Sequence, residues 1–228
     1  MKLLKNSVKL AGILIILGMV TGILSIASAI DSPKYLTEAA TNTMQVTIAA
    51  FFQFILSLTY VGFAILLYPI LKKYNQRLVL GFLSFRIISG VVLIIGSVIL
   101  LSILVVSQEF VKSSSENQWS FEAFGNVLKI TRDYINHIFM VFTISIANLL
   151  LYILFFKTKL IPKWLSVWGI LGTILSIAAS VLLLFNIVDV ISVEYLALNA
   201  PTGVFELVLG FWLVIKGFKK VIPQKKPI

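Results

Sequence analysis

The chain contains no cysteine, so structural disulfides, thiolate metal sites and cysteine nucleophiles are all excluded. It has a single histidine, His137. One imidazole without a second strong ligand cluster does not build a transition-metal site, and a c-type haem has no attachment motif here. No cofactor and no metal are expected. His137, at the start of the fourth apolar run beside Arg132 and Asp133, reads as an interfacial hydrogen-bonding residue. Catalytic signatures are missing too: no H-E-x-x-H, G-x-S-x-G or G-x-x-x-x-G-K-S pattern occurs. Zincin, nucleophile-elbow and phosphate-cradling chemistry therefore lack their residues, and no catalytic residue is assigned. Charge is scarce as well, at 12% of 228 residues.

Apolar side chain is abundant instead. The sequence is 59% hydrophobic with a mean hydropathy of +1.03, more than one soluble core of this length could hide. The bilayer is its solvent. Apolar runs at approximately 10–30, 46–71, 78–106, 135–156, 164–185 and 196–216 predict an all-α integral membrane bundle of about six transmembrane helices. No shift in composition marks a second domain, so 1–228 reads as one transmembrane domain.

The first run is open to two readings. Ala27, Ser28 and Ala29 form an A-x-A pattern of the kind signal peptidase cuts. Against cleavage, the 21 uncharged residues of 10–30 would extend ~31 Å as a helix, enough to span. Gly18 and Gly22, with Ala11, Ser25 and Ala29 on roughly the same face, suit close helix contact. A retained helix is the expectation. Residues 31–44 read as a short polar loop and 107–134 as the one long polar segment. Within the latter, Phe121, Phe124, Leu128 and Ile135 have helical spacing. That pattern fits either an amphipathic helix lying on the membrane or a loop helix packed on the bundle.

The formal net charge of +10 is distributed on one side. With a cytoplasmic N-terminus, Lys2, Lys5, Lys9, Lys72, Lys73, Arg77, Lys157, Lys159, Lys163, Lys216, Lys219, Lys220, Lys225 and Lys226 fall on the cytoplasmic side. These are fourteen of the nineteen basic residues, and no carboxylate accompanies them. The other side receives Lys34, Lys112, Lys129 and Arg132 with eight of the nine acidic residues. This is the positive-inside pattern, and it places both termini in the cytoplasm. The lysines find partners in anionic lipid headgroups, so membrane lipids rather than nucleic acid account for the charge.

Two charged residues remain inside apolar runs. Arg86 is nine residues past Arg77 and Glu206 ten before Lys216, so both lie ~14–15 Å from the basic anchors. Asn148, nine before Lys157, falls at the same level. Each belongs to a small or polar stripe: Gly203, Glu206, Gly210 and Gly217; Arg86, Gly90 and Ser97; His137, Ser145, Asn148 and Tyr152. Gln53, Ser57, Tyr60 and Ala64 make another, as do Gly172, Ser176 and Ser180. Such stripes turn inward in lipid. The candidate site is thus an intramembrane layer of Arg86, Asn148 and Glu206, with Tyr60, Gln53, His137, Ser145 and Tyr152 as possible lining.

A lone charge at that depth costs about 2.5–3.5 kcal/mol on insertion scales. An Arg86–Glu206 ion pair supported by Asn148 is the leading expectation. The alternatives are a protonated Glu206 hydrogen-bonded to Asn148 or Tyr60, and an Arg86 that snorkels to the headgroups. Two function classes stay open: a non-catalytic structural, partner-binding or lipid-binding bundle, and a transporter of a small solute, lipid or proton built on Glu206 and Arg86. Transporter sites are commonly made from broken helices. Here Pro69 and Pro201 read as lying near helix ends, which favours the first class.

The segment LLLYILFFKTKLIPKWLSVWGILG, with Pro162 before Trp164 and Gly169, and the final PTGVFELVLGFWLVIKGFKK resemble a bacterial multi-pass membrane family known as domain of unknown function 4386. KLAGIL near the start and SFRIISG around Arg86 are similar too. The resemblance implies a six- or seven-span protein of the bacterial inner membrane with no assigned activity. It also favours a retained first helix, because the similarity begins before the A-x-A site.

Overall fold

Backbone amides in hydrocarbon have no water to bond, so an apolar run must satisfy them within itself. In the computed structural model, which describes residues 2–114 and 117–219, each apolar run is helical and no described residue is in a strand. The elements are α1 (Lys2–Leu24), α2 (Ser28–Asp31), α3 (Tyr35–Thr41), α4 (Thr43–Leu71), α5 (Gln76–Lys112), α6 (Gln118–Asp133), a π-helical turn (Tyr134–Phe139), α7 (Met140–Thr158), α8 (Lys163–Leu184) and α9 (Val193–Ile215). Six helices are long and apolar enough to cross a membrane: α1, α4, α5, the continuous 118–158 helix, α8 and α9.

Short connections make consecutive spans antiparallel neighbours, and the turn residues have local reasons. Asn75 caps α5, its side-chain oxygen accepting from the Leu78 N–H at 3.0 Å. Lys159, left-handed at φ 57°, ends α7, and Pro162 stands at the N-cap of α8. Ser192 caps α9, and left-handed Gly217 follows it, its N–H reaching back to the Trp212 carbonyl at 3.0 Å. The spans pack in the cyclic order α1, α4, α5, α7, α8, α9, and α9 closes on α1. Lys72, Lys73 and Arg77 flank the α4–α5 connection, Lys157, Lys159 and Lys163 the α7–α8 connection, and Lys216 and Lys219 follow α9, so all gather at one end. Lys220, Lys225 and Lys226 lie outside the described residues.

The far end differs from the sequence expectation. Residues 31–44 carry α3 and the start of α4, and most of 107–134 is helical. α5 has 37 residues and the 118–158 helix has 41, about 56 and 62 Å. Both outrun a hydrocarbon core of roughly 30 Å. Their surplus length joins α2 and α3 in a cap, where Ile30, Tyr35, Leu36, Leu100 and Ile103 are buried together. α6 continues into α7 and packs on α5. Of the two readings of its amphipathic pattern, the structure takes the packed helix: Phe121 and Leu128 face the cap while Trp119 and Val127 face outward.

One seam positions the site. Near the basic end α1 touches α9 backbone to backbone, and a Cβ at Gly12 would lie 2.7 Å from the Gly210 carbonyl oxygen. Further along, α1 turns to α4 instead, where a Cβ at Gly18 would lie 2.9 Å from Thr59 Oγ1. α9 meanwhile packs on α8, with Gly169 against the Phe205 ring and Gly172 against Thr202. Ile16 of α1 still packs on Gly210, and the two helices part beyond it. Gly203 has nothing within 4 Å of its missing Cβ.

Candidate functional site

Arg86 projects from the inner face of α5, the face that also buries Phe82, Gly90 and Ser97. It is 4% exposed. Its guanidinium is surrounded by the rings of Phe63, Tyr60 and Phe82, with centroids at 4.9, 5.4 and 5.7 Å, an arrangement that offsets part of the lost hydration. Arg86 Nη2 donates to Asn148 Oδ1 at 2.6 Å, and Nε has no hydrogen-bond partner. Arg86 does not reach the headgroups.

The expected Arg86–Glu206 ion pair does not form. Among the described residues no ion pair within 4.0 Å involves either side chain. The reason is steric: the Asn148 amide takes the guanidinium edge that a carboxylate would occupy, and the rings of α4 and α5 hold Arg86 on their side. Asn148 instead holds the guanidinium through its amide oxygen. Asn148 bonds Arg86, and Arg86 and Glu206 line one cavity.

Above this layer lies a cavity of about 280 Å³. Arg86, Tyr60, Tyr152 and Glu206 give it a polar floor, while Leu14, Met19 and Ile23 of α1, Ile26 just beyond it and Leu56 of α4 give apolar walls. Gly18, Gly22 and Gly203 border it where α1 and α9 part. Glu206 is only half-buried, on a helix whose neighbouring Val204 and Leu207 are exposed. Tyr152 packs edge-on against Phe205 with centroids 4.9 Å apart. Neither its hydroxyl nor that of Tyr60 has a hydrogen bond among the described residues, and both residues line the cavity. Four polar side chains thus converge on a pocket and leave hydrogen-bonding capacity unused. The arrangement can bind a polar group and keep an apolar tail beside it.

The other expected lining residues lie elsewhere. Ser145 is buried on α7 away from the cavity. Gln53 belongs to a second polar layer nearer the cap, donating to the Leu93 carbonyl at 3.1 Å and to Asn136 Oδ1 at 3.0 Å. Gly96 makes room for that pair, since a Cβ there would collide with Asn136. His137 sits in the π-turn. Its Nδ1 is 3.3 Å from the Tyr195 hydroxyl, and its carbonyl accepts from Ser180 Oγ at 2.7 Å, in keeping with the extra unpaired carbonyl that a π-turn leaves. Close by, Arg132 Nη1 meets Asp31 at 2.6 Å and Asp133 at 3.2 Å.

Sequence reasoning missed three features. Pro201 is not at a helix end: it is the ninth residue of α9 and removes a hydrogen-bond donor little more than one turn before Glu206. Its own carbonyl accepts from Trp168 Nε1 at 3.1 Å. Gly12 makes the closest α1–α9 approach, although Gly18 and Gly22 were the residues in the recognisable motif. The Asp31–Arg132 pair joins residues 101 positions apart, and no local pattern carries such a contact. Gly217 of the α9 stripe falls beyond the helix, as its left-handed end residue.

A family model described as domain of unknown function, DUF4386, matches residues 10–217. The chain belongs to this family. The match covers all six spans and the whole layer. No curated protein and no solved structure matches the chain. DUF4386 membership therefore agrees with a multi-pass helical membrane protein and supplies no activity, which leaves function to be argued from the cavity.

Proposed function

We propose that this chain is a non-catalytic binding protein of the bacterial plasma membrane that admits a membrane-borne amphiphile sideways, between α1 and α9, onto the Arg86–Asn148–Glu206 layer. One observation carries the reading: Arg86, Tyr60, Tyr152 and Glu206 line one cavity together with apolar side chains of α1 and α9, and Gly203 of α9 has open space at its missing Cβ. A layer serving only to fix helix register would be dry and internally satisfied, because unused donors in an apolar interior are costly. The positive-inside pattern supports cytoplasmic termini.

Photolabelling with a diazirine-bearing single-chain lipid in phosphatidylcholine vesicles tests this. Labelling around Gly22 and Gly203 is expected to saturate, whereas labelling of outward-facing Ile88 and Val91 rises in proportion to probe. Gly203→Trp, which fills the open space, removes the saturable part alone. Proportional labelling at Gly203, unchanged by the tryptophan, would leave the layer with a purely structural role. Transport is the second reading, favoured by Pro201, which interrupts α9 close to Glu206 in the manner of a broken-helix site. It requires that the bound amphiphile also cross between leaflets.

A further inference from the structure

We infer that the cavity receives a zwitterionic group, with a primary ammonium at Glu206 and an anionic group facing Arg86 and the two tyrosine hydroxyls. The inference rests on the lateral-binding reading above and adds a ligand chemistry to it.

Charge balance is the starting point. Among the side chains that line the cavity from α1, α4, α5, α7 and α9, Arg86 and Glu206 are the only charged ones, and Tyr60 and Tyr152 are the other titratable groups. With Glu206 ionised, the floor carries one positive and one negative charge. A purely cationic or anionic ligand would leave one charge uncompensated at a depth where that is expensive. A zwitterion keeps the sum at zero.

Geometry separates the two halves of the floor. Glu206, the acceptor, comes from α9, while the donors Tyr60, Arg86 and Tyr152 come from α4, α5 and α7. Because Asn148 and the rings of Tyr60, Phe63 and Phe82 hold Arg86 away from Glu206, the charges do not satisfy each other. A ligand has no ion pair to break. Arg86 and Tyr152 are 4% and 1% exposed, yet both line the cavity; Arg86 Nε has no hydrogen-bond partner, and the Tyr152 hydroxyl makes no hydrogen bond among the described residues. At about 280 Å³, the space is several times the ~30 Å³ share of one water, so it admits a head of aminoethyl-phosphate or amino-acid size. Two sources share this chemistry: an ethanolamine-type lipid headgroup, whose chains would follow the apolar wall of α1, and a free zwitterion.

The test is competition against the saturable photolabel at Gly203 in neutral maltoside micelles, with thermal unfolding measured in parallel. The competitors are lysophosphatidylethanolamine, lysophosphatidic acid, dodecylamine and free phosphoethanolamine. For the wild type, lysophosphatidylethanolamine is expected to compete at a concentration at least about tenfold below lysophosphatidic acid and dodecylamine. In Glu206→Gln, whose floor is net positive, lysophosphatidic acid should move ahead of it. Tyr152→Phe offers a second arm: it should weaken both phosphate-bearing probes and leave dodecylamine unchanged. Competition by free phosphoethanolamine identifies a soluble source, and its failure beside an effective lysolipid identifies a membrane source; both support the zwitterion. If dodecylamine or lysophosphatidic acid binds best to the wild type, the zwitterion is wrong and lateral binding survives. If no probe saturates or competes, both readings fall.

Discussion

The bundle holds two polar regions built from similar residues, and they are finished differently. Near the cap, Arg132 is clamped by Asp31 and Asp133, and Gln53 bonds Asn136 and the Leu93 carbonyl. Charges and amides there meet one another directly. In the mid-membrane layer Arg86 meets an amide rather than a carboxylate, and Glu206, Tyr60 and Tyr152 face a cavity. Closed polar contacts fix the position of segments, here α2 and α6 at the cap. Arg132 Nε is left without a partner just as Arg86 Nε is, so the difference lies in Glu206, Tyr60 and Tyr152, whose convergence on a cavity is a costly way to fix anything; that contrast is why the layer, and not the cap, carries the functional reading.

Unfolding measurements on purified protein should expose the contrast. Arg132→Ala should have the largest effect, about 3 kcal/mol, because it leaves Asp31 and Asp133 without their shared partner; a change near zero would mean the cap is not a structural device. Gly12→Leu should come next. Its side chain meets the Gly210 carbonyl and Leu213, so overpacking of about 1–3 kcal/mol is expected, together with broader labelling along a seam that no longer closes. Gln53→Leu strands the Asn136 oxygen and should cost about 1–2 kcal/mol; circular dichroism melts in the same detergent would measure it. Glu206→Gln should have the smallest effect, under about 1 kcal/mol, since the carboxylate has no ion pair to lose. A loss as large as that of Arg132→Ala would erase the distinction and make the layer structural.

Parts of this were legible in one dimension. Helical rise, counted from the lysine anchors, puts Arg86, Asn148 and Glu206 at one level, and the small stripes point Arg86, Gly90 and Ser97 inward, as found. Other parts were not. Ser145 and Tyr152 share a face of α7, yet only Tyr152 reaches the cavity, because the opening depends on how α1 leans rather than on α7. Arg86 and Glu206 share a level but not a contact, since level fixes height and says nothing of the azimuth at which a third side chain intervenes.

The sequence by itself determined the solvent, the number of spans and the basic end. Each of these follows from composition, run length or a period along one helix, quantities local to the chain. Only the tertiary structure decided that α9 closes a ring on α1, that the two helices part beyond Ile16, and that Asn148 rather than Glu206 bonds the buried Arg86. Those outcomes depend on tilt and rotation between helices far apart in sequence, set by close approaches such as Gly12 to Gly210.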